Sequence, residues 1–345
     1  MLESFFHAWE RRLASVSTDR VVRPFEWGVD WLDSAASPYH EPPERLSSYV
    51  ESVLRDTERF YTPPPTSSYR LEPGRDEQPA LLTFDSSRTT PHAANNTVYA
   101  RYFAGRRGKG GGRPRRAVVV LPQWNSDPGG HVGLARLLAK TGLSALRLSL
   151  PYHDQRMPPE LTRADYIVSS NVARTLEVCR QAVHDARRAI WWLRERGYER
   201  IGILGTSLGS CLAMLTTAHE PLIRAQALNH ISPYFADVVW HGLSTRHVRE
   251  GLNGHIGLDQ LRRLWMPISP FQFIDRVGDR RTLLVYAKYD LSFPVDLSRA
   301  LVAEFRRRRI PHRAVVLPCG HYSTGSAPFK FLDGYVLTRF LHQTL

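Results

Sequence analysis

The chain has 345 residues, 42% of them hydrophobic, with 24 prolines and 23 glycines. That is enough for one large domain or two ordinary ones, and it excludes a disordered, collagenous or disulfide-scaffold protein. Forty-six basic residues against 33 acidic ones leave a net charge of +13, and all but four of the basic residues are arginine. Such a surplus suggests nucleic acid or an anionic membrane as partner. The two densest groupings are Arg106 to Arg116 around a Gly-rich stretch, and Arg306 to Arg309. Neither interleaves with aromatic rings as a base-stacking surface would. The expectation is therefore arginine on solvated faces, no specific nucleic-acid binding, and at most a peripheral contact with an anionic surface.

Cys179, Cys211 and Cys319 show no CxxC spacing and leave one unpaired, which fits a reducing compartment and a cytoplasmic location. The first ten residues lack the basic start and unbroken apolar stretch of a signal peptide, and no run of about 18 apolar residues occurs.

In chain order, residues 2 to 16 have helical spacing, with Phe5, Phe6, Trp9 and Leu13 on one side. A second helix is expected over 43 to 61, before Pro63-Pro64-Pro65. With Phe25, Trp27 and Trp31 between them, residues 1–67 read as a helical N-terminal extension docked on a main domain through its rings.

From about residue 68 strand-like and helix-like segments alternate. Segments 69 to 85 and 97 to 103 suggest an antiparallel start, with 105 to 112 as an exposed turn. Strands are then expected at 117–121, 144–150, 201–204, 225–230, 282–287 and 313–317, and helices at 132–140, 162–196, 208–218, 297–308 and 329–341. This alternation implies an α/β protein with a mostly parallel central sheet and helices on both faces. Residues 232–280 break the rhythm, as a lid-like insertion between core strands would. They carry Tyr234, Phe235, Trp240, Trp265, Phe271 and Phe273, which would either line an apolar acyl site or pack the insertion onto the sheet.

The sharpest motif is Gly205-Thr206-Ser207-Leu208-Gly209, a G-x-S-x-G between a predicted strand and a predicted helix. A tight strand-to-helix turn strains the serine and brings backbone so close that only glycine fits at the flanks. The helix N-terminus then aims N–H groups at the oxygen that becomes negative in acyl transfer. A serine hydroxyl is a poor nucleophile unless a histidine takes its proton and a carboxylate orients that histidine. Asp290 and His321 each follow a predicted strand, and the order Ser207, Asp290, His321 suits such a hydrolase. Asp296 and Asp154 compete for the acid role. For the oxyanion, Leu208 offers one backbone N–H. Trp124, or else Gln123, offers the second from Leu121-Pro122-Gln123-Trp124-Asn125.

On these motifs, residues 68–345 resemble the α/β-hydrolase superfamily of the serine esterase and lipase type. The segment Leu150-Pro151-Tyr152-His153-Asp154-Gln155-Arg156-Met157-Pro158 and the aromatic N-terminal segment are weakly similar to the α/β-hydrolase domain-containing protein 18 group. The resemblance implies hydrolysis of a small-molecule or lipid-like ester, or a related acyl bond, through an acyl-enzyme, with no metal or organic cofactor. A peptidase or acyltransferase on the same residues, and a non-catalytic binding protein of this fold, are the alternatives.

Overall fold

The computed structural model describes residues 2–32, 40–75, 78–105 and 115–345. The expected turn at 105–112, with Arg106, Arg107 and Lys109, lies almost wholly outside the described residues, as does Arg113.

Nine strands form one sheet in the order β1-β2-β3-β5-β4-β6-β7-β8-β9. They are β1 (Arg70–Glu72), β2 (Ala80–Asp85), β3 (Thr97–Phe103), β4 (Arg116–Leu121), β5 (Ser144–Leu148), β6 (Arg200–Thr206), β7 (Ile223–Asn229), β8 (Arg281–Ala287) and β9 (His312–Leu317). Strands β1, β2 and β3 run antiparallel, β3 meets β5 antiparallel, and every pairing from β5 to β9 is parallel. The central strands are buried over most of their length, as Val118, Val119 and Val120 illustrate, because helices cover both faces.

The helices are α1 (Leu2–Ser15), α2 (Pro42–Arg55), α3 (Thr57–Tyr61), α4 (Val132–Lys140), α5 (Val172–Glu195), α6 (Leu208–His219), α7 (Phe235–His241), α8 (Arg246–Leu252), α9 (Leu258–Leu264), α10 (Val295–Arg307) and α11 (Phe329–Thr344). Two differ from the sequence expectation for local reasons. The helix expected over 43–61 breaks at Asp56, whose carboxylate caps α3 by accepting from Arg59 N–H at 3.0 Å. The helix expected from 162 starts at 172, where Asn171 caps it by accepting from Arg174 N–H at 2.9 Å. Residues 162–171 instead form a loop beside the site.

The arginine surplus divides in a way that charge counting does not reveal. Arg307 and Arg308 pair with Glu304 on the exposed side of α10. Arg147, Arg156, Arg163, Arg187 and Arg188 are buried. Arg156 meets Asp185 at 2.9 Å and Arg187 meets Glu220 at 3.2 Å, so these cations are balanced inside the protein instead of displayed.

Strand order reverses around β4, with β5 on one side and β6 on the other. The crevice beyond the carboxyl ends of β4 and β6 is where such sheets bind ligands, and the turns after both strands open into it.

Candidate active site

Ser207 sits between β6 and α6 with φ 56° and ψ −121°, a strained conformation for a residue with a side chain. Close backbone explains both glycines. A Cβ on Gly205 would meet Gly209 O at 2.0 Å, and one on Gly209 would meet Leu121 O at 2.3 Å. Ser207 N–H donates to Asn229 O at 2.8 Å, and Ser210 Oγ donates to Ser207 O at 2.6 Å, so the turn is held from both sides.

The three separated residues converge. His321 Nε2 lies 3.1 Å from Ser207 Oγ, and His321 Nδ1 lies 2.8 Å from Asp290 Oδ2. The other carboxylate oxygen of Asp290 accepts from Ser292 N–H at 2.8 Å and Phe293 N–H at 2.7 Å. Phe293 stacks on the His321 ring with centroids 5.2 Å apart. Burial pushes the Asp290 carboxyl up, yet His321 and His230 outweigh it and hold the group well below the usual carboxylate range. Burial likewise lowers His321, and the Asp290 charge and hydrogen bond override it, leaving the imidazole pKa raised. The competing acids lie elsewhere: Asp296 is exposed beside Arg299, and Asp154 accepts from Arg147 and from Ser149 Oγ.

Leu208, Gln123 and Trp124 N–H groups have no protein acceptor among the described residues, and Gln123 and Trp124 line the same cavity as Ser207. The turn that carries them is tied down by hydrogen bonds. Asn125 N–H donates to His153 Nε2 at 3.0 Å, Asn125 Oδ1 accepts from Ala164 N–H at 2.7 Å, and Trp124 Nε1 donates to Ala164 O at 2.9 Å. His153 Nδ1 faces Pro151 O, and burial lowers this imidazole to about 4, so its Nε2 is a neutral acceptor.

Two residues in the site have no motif in the sequence to announce them. Buried His230, directly after β7, places Nδ1 3.0 Å from the Asp290 Oδ2 that also receives His321, with the two imidazole centroids 4.6 Å apart. His230, Asp290 and His321 could in principle hold a metal ion, since their ligand atoms lie within 4.8 Å of one another. Both Nδ1 atoms instead point at one carboxylate oxygen, which is the geometry of two N–H donors sharing an acceptor.

The second is Glu10 of α1, fully buried. Its carboxylate accepts from Tyr322 N–H and Ser323 N–H, each at 2.8 Å, immediately after His321. A Cβ on Gly320 would meet Glu10 Cδ at 2.3 Å, so the glycine lets the histidine loop lie against that carboxylate. One turn earlier Phe6 stacks on Tyr289, centroids 4.5 Å apart, and so braces the residue before Asp290.

The cavity over Ser207 has a volume of about 780 Å³. Its lining mixes small residues such as Gly129, Gly130, Gly133 and Gly334, polar ones such as Asn229, His230 and Asp333, and the apolar surfaces of Trp124, Leu134 and Tyr322. Among the described residues of 232–280, Ser244 alone reaches it. The insertion's rings turn inward: Trp265 is fully buried with Nε1 donating to Val172 O at 3.0 Å, Phe235 packs edge-on against it, and Phe273 packs against His219. No helix among the described residues is long and apolar enough to cross a membrane.

No family model and no curated protein matches the chain. Solved structures do. The Pyrococcus horikoshii acylaminoacyl peptidase is similar at 14% identity and TM-score 0.59, over 81% of this chain and 42% of that one. The acetyl xylan esterase from Paenibacillus sp. R4 is similar at 14% identity and TM-score 0.59, over 92% and 98%. Acetyl xylan esterase 1 from Thermoanaerobacterium sp. JW/SL YS485 is similar at 13% identity and TM-score 0.58, over 95% and 98%. The chain thus spans about two fifths of the peptidase's length and nearly all of each esterase's. At these identities the likeness concerns the fold, and the fold of this chain is that of the α/β-hydrolases.

Proposed function

We propose that the protein is a serine hydrolase that cleaves an ester through an acyl-enzyme on Ser207. The observation that carries this reading is the continuous chain of contacts from Ser207 Oγ to His321 Nε2 and from His321 Nδ1 to Asp290 Oδ2. His321 takes the Ser207 proton as Oγ attacks the carbonyl carbon. The tetrahedral oxyanion is held by Leu208 N–H and by Trp124 or Gln123 N–H. His321 returns the proton to the leaving oxygen as the C–O bond breaks, and water, activated by the same imidazole, releases the acid. Asp290 stays ionised throughout and stabilises the imidazolium.

In this reading residues 68–345 form the catalytic domain of a cytoplasmic enzyme of the esterase type, with 232–280 as its insertion. Residues 1–67 belong to the same unit through Glu10 and Phe6. The rings of the insertion pack inward and leave the cavity lined by small residues, which supports a compact substrate over a long acyl chain. The resemblance to the domain-containing protein 18 group rests on residues 150–158 and the N-terminal rings and adds no substrate.

The test is covalent labelling with a fluorophosphonate probe, alongside hydrolysis of p-nitrophenyl acetate. The native protein labels once and turns the ester over, and Ser207→Ala does neither. Undiminished labelling of the alanine variant would assign the nucleophile elsewhere. Matched ester, amide and thioester substrates, with a competing alcohol present, separate an esterase from a peptidase or acyltransferase.

A further inference from the structure

After α1 the chain passes along the edge of the Ser207 cavity, where Ser17 and Arg20 form part of the lining. Three arginines gather there around two carboxylates. Arg163 Nη1 meets Asp19 at 3.0 Å, its Nε lies 3.5 Å from Asp165, and Arg23 Nε reaches the same Asp165 at 3.2 Å. Arg20 is the cation left over, with no ion pair among the described residues. The field of this group is felt nearby: burial first, then the charges of Arg163 and Arg20, lowers the His247 imidazole to about 4.

The guanidinium of Arg20 is held in place but not used up. Its Nη2 donates to Tyr322 Oη at 3.1 Å, and Tyr322 directly follows His321, with ring centroids 6.0 Å apart. Arg20 Nε is buried, whereas Nη1 is neither buried nor hydrogen-bonded among the described residues. A half-buried guanidinium with an open N–H and no counter-charge is a receptor for an anion. The neighbouring carboxylates are occupied: Asp333, the one acid in the described lining, accepts from Asn229 Nδ2 at 2.9 Å, and Glu10 accepts from Tyr322 and Ser323 N–H. Lys330, exposed at the same cavity, adds a second cation without an ion pair among the described residues.

We propose that Arg20 sets the substrate class: the ester cleaved at Ser207 carries an anionic group, a carboxylate or a phosphate, that docks on the Arg20 guanidinium. The inference rests on Ser207 and His321 acting as proposed above. A neutral ester leaves that cation without a counter-charge, and a cationic ester meets two like charges, Arg20 and Lys330, in the same cavity. Because Arg20 bonds to the ring next to the catalytic imidazole, the docked anion also lies close to the reacting end of the cavity.

The experiment compares charged esters with neutral partners of the same shape. Monoethyl succinate against ethyl succinamate places the carboxylate on the acyl side, acetoxyacetate against acetoxyacetamide places it on the alcohol side, and 2-acetoxyethyl phosphate against its dimethyl ester tests a phosphate. Rates on the native full chain are divided by those of alkaline hydrolysis, and Kd is measured by calorimetry on Ser207→Ala. At least one anion is expected to exceed its neutral partner about tenfold or more in kcat/KM and in affinity, and the pair that does so names the group and its side. Arg20→Gln brings that ratio towards one and Arg20→Lys restores part of it, whereas a purely structural role, acting through Tyr322, would lower both members of the pair alike. Equal values within all three pairs, which the native chain alone can show, would overturn the proposal, as would a ratio that survives in Arg20→Gln. Selective binding of an anion by a protein that neither labels nor turns over would refute the hydrolase reading while leaving the anion site standing.

Discussion

Replacing Glu10 by glutamine tests whether α1 is packing or part of the machinery. The carboxylate accepts from two backbone N–H groups of the His321 loop. Glutamine keeps one carbonyl acceptor and turns its NH₂ towards the other N–H, so a donor faces a donor in a buried site. That mismatch costs about 1–3 kcal/mol. Native stability is only about 5–15 kcal/mol, so the variant folds with a lower denaturation midpoint. The catalytic effect is separate. A base displaced by about 1 Å costs on the order of 100-fold, so kcat on p-nitrophenyl acetate should fall between about 10- and 100-fold with KM little changed. The pH profile is the decisive assay. Burial lowers the His321 pKa, and Asp290 and then Glu10 raise it, with a net rise above 6.5. The imidazole must be neutral to act as base, so activity climbs with pH through that raised value. Removing the Glu10 charge moves the climb to lower pH. The stability linkage has the matching sign: the raised pKa contributes stability that is full below the unfolded value and is lost as pH rises through the folded one. An unchanged kcat and an unmoved acidic limb, alongside lower stability, would reduce Glu10 to a packing residue.

Other outcomes follow from the same geometry. Asp290→Asn should lower kcat by about 10⁴-fold because His321 loses its tautomer and its counter-charge, while Asp296→Asn, exposed beside Arg299, leaves kcat intact. His230→Phe should lower kcat by about tenfold and His230→Gln by less, because glutamine can still donate to Asp290; equal losses in steady-state assays would exclude that hydrogen bond as the cause. Gly209→Ala should abolish probe labelling, since its Cβ would lie 2.3 Å from Leu121 O and must displace the turn. Among p-nitrophenyl esters, kcat/KM should fall as the acyl chain lengthens from acetate to palmitate, because the rings of 232–280 pack inward and do not extend the cavity; the opposite trend would indicate a longer acyl site.

What could be read from the sequence was local. Gly205 to Gly209 could be recognised because one turn imposes strain and close contact within five residues, and Asp290 and His321 because each follows directly on a strand. Strand and helix order was legible because hydrophobic runs of two distinct lengths alternate along the chain. What escaped depends on long-range meeting. Glu10 looks like an ordinary acid on an amphipathic helix until residue 320 is placed beside it. His230 is one of 14 histidines, and its position after β7 was the available signal. Ring density in 232–280 could not say which way the rings face; the structure turns Trp265 and Phe273 inward. Charge arithmetic likewise could not separate Arg156, buried against Asp185, from Arg307 on a wet helix face.

The contact between Glu10 and Tyr322 spans 312 residues of chain. The helix α1 is thus translated long before the segment that holds its buried carboxylate. Closing so long a loop costs entropy, and the bond can form only once β9 and the loop after it have been made. Until the histidine loop has emerged and folded back, α1 carries an unpaired acid and exposed rings, the kind of surface that invites chaperones and aggregation during synthesis. The order of synthesis therefore places the pairing of Glu10 with the loop after β9 later than the making of α1 and of every strand of the sheet.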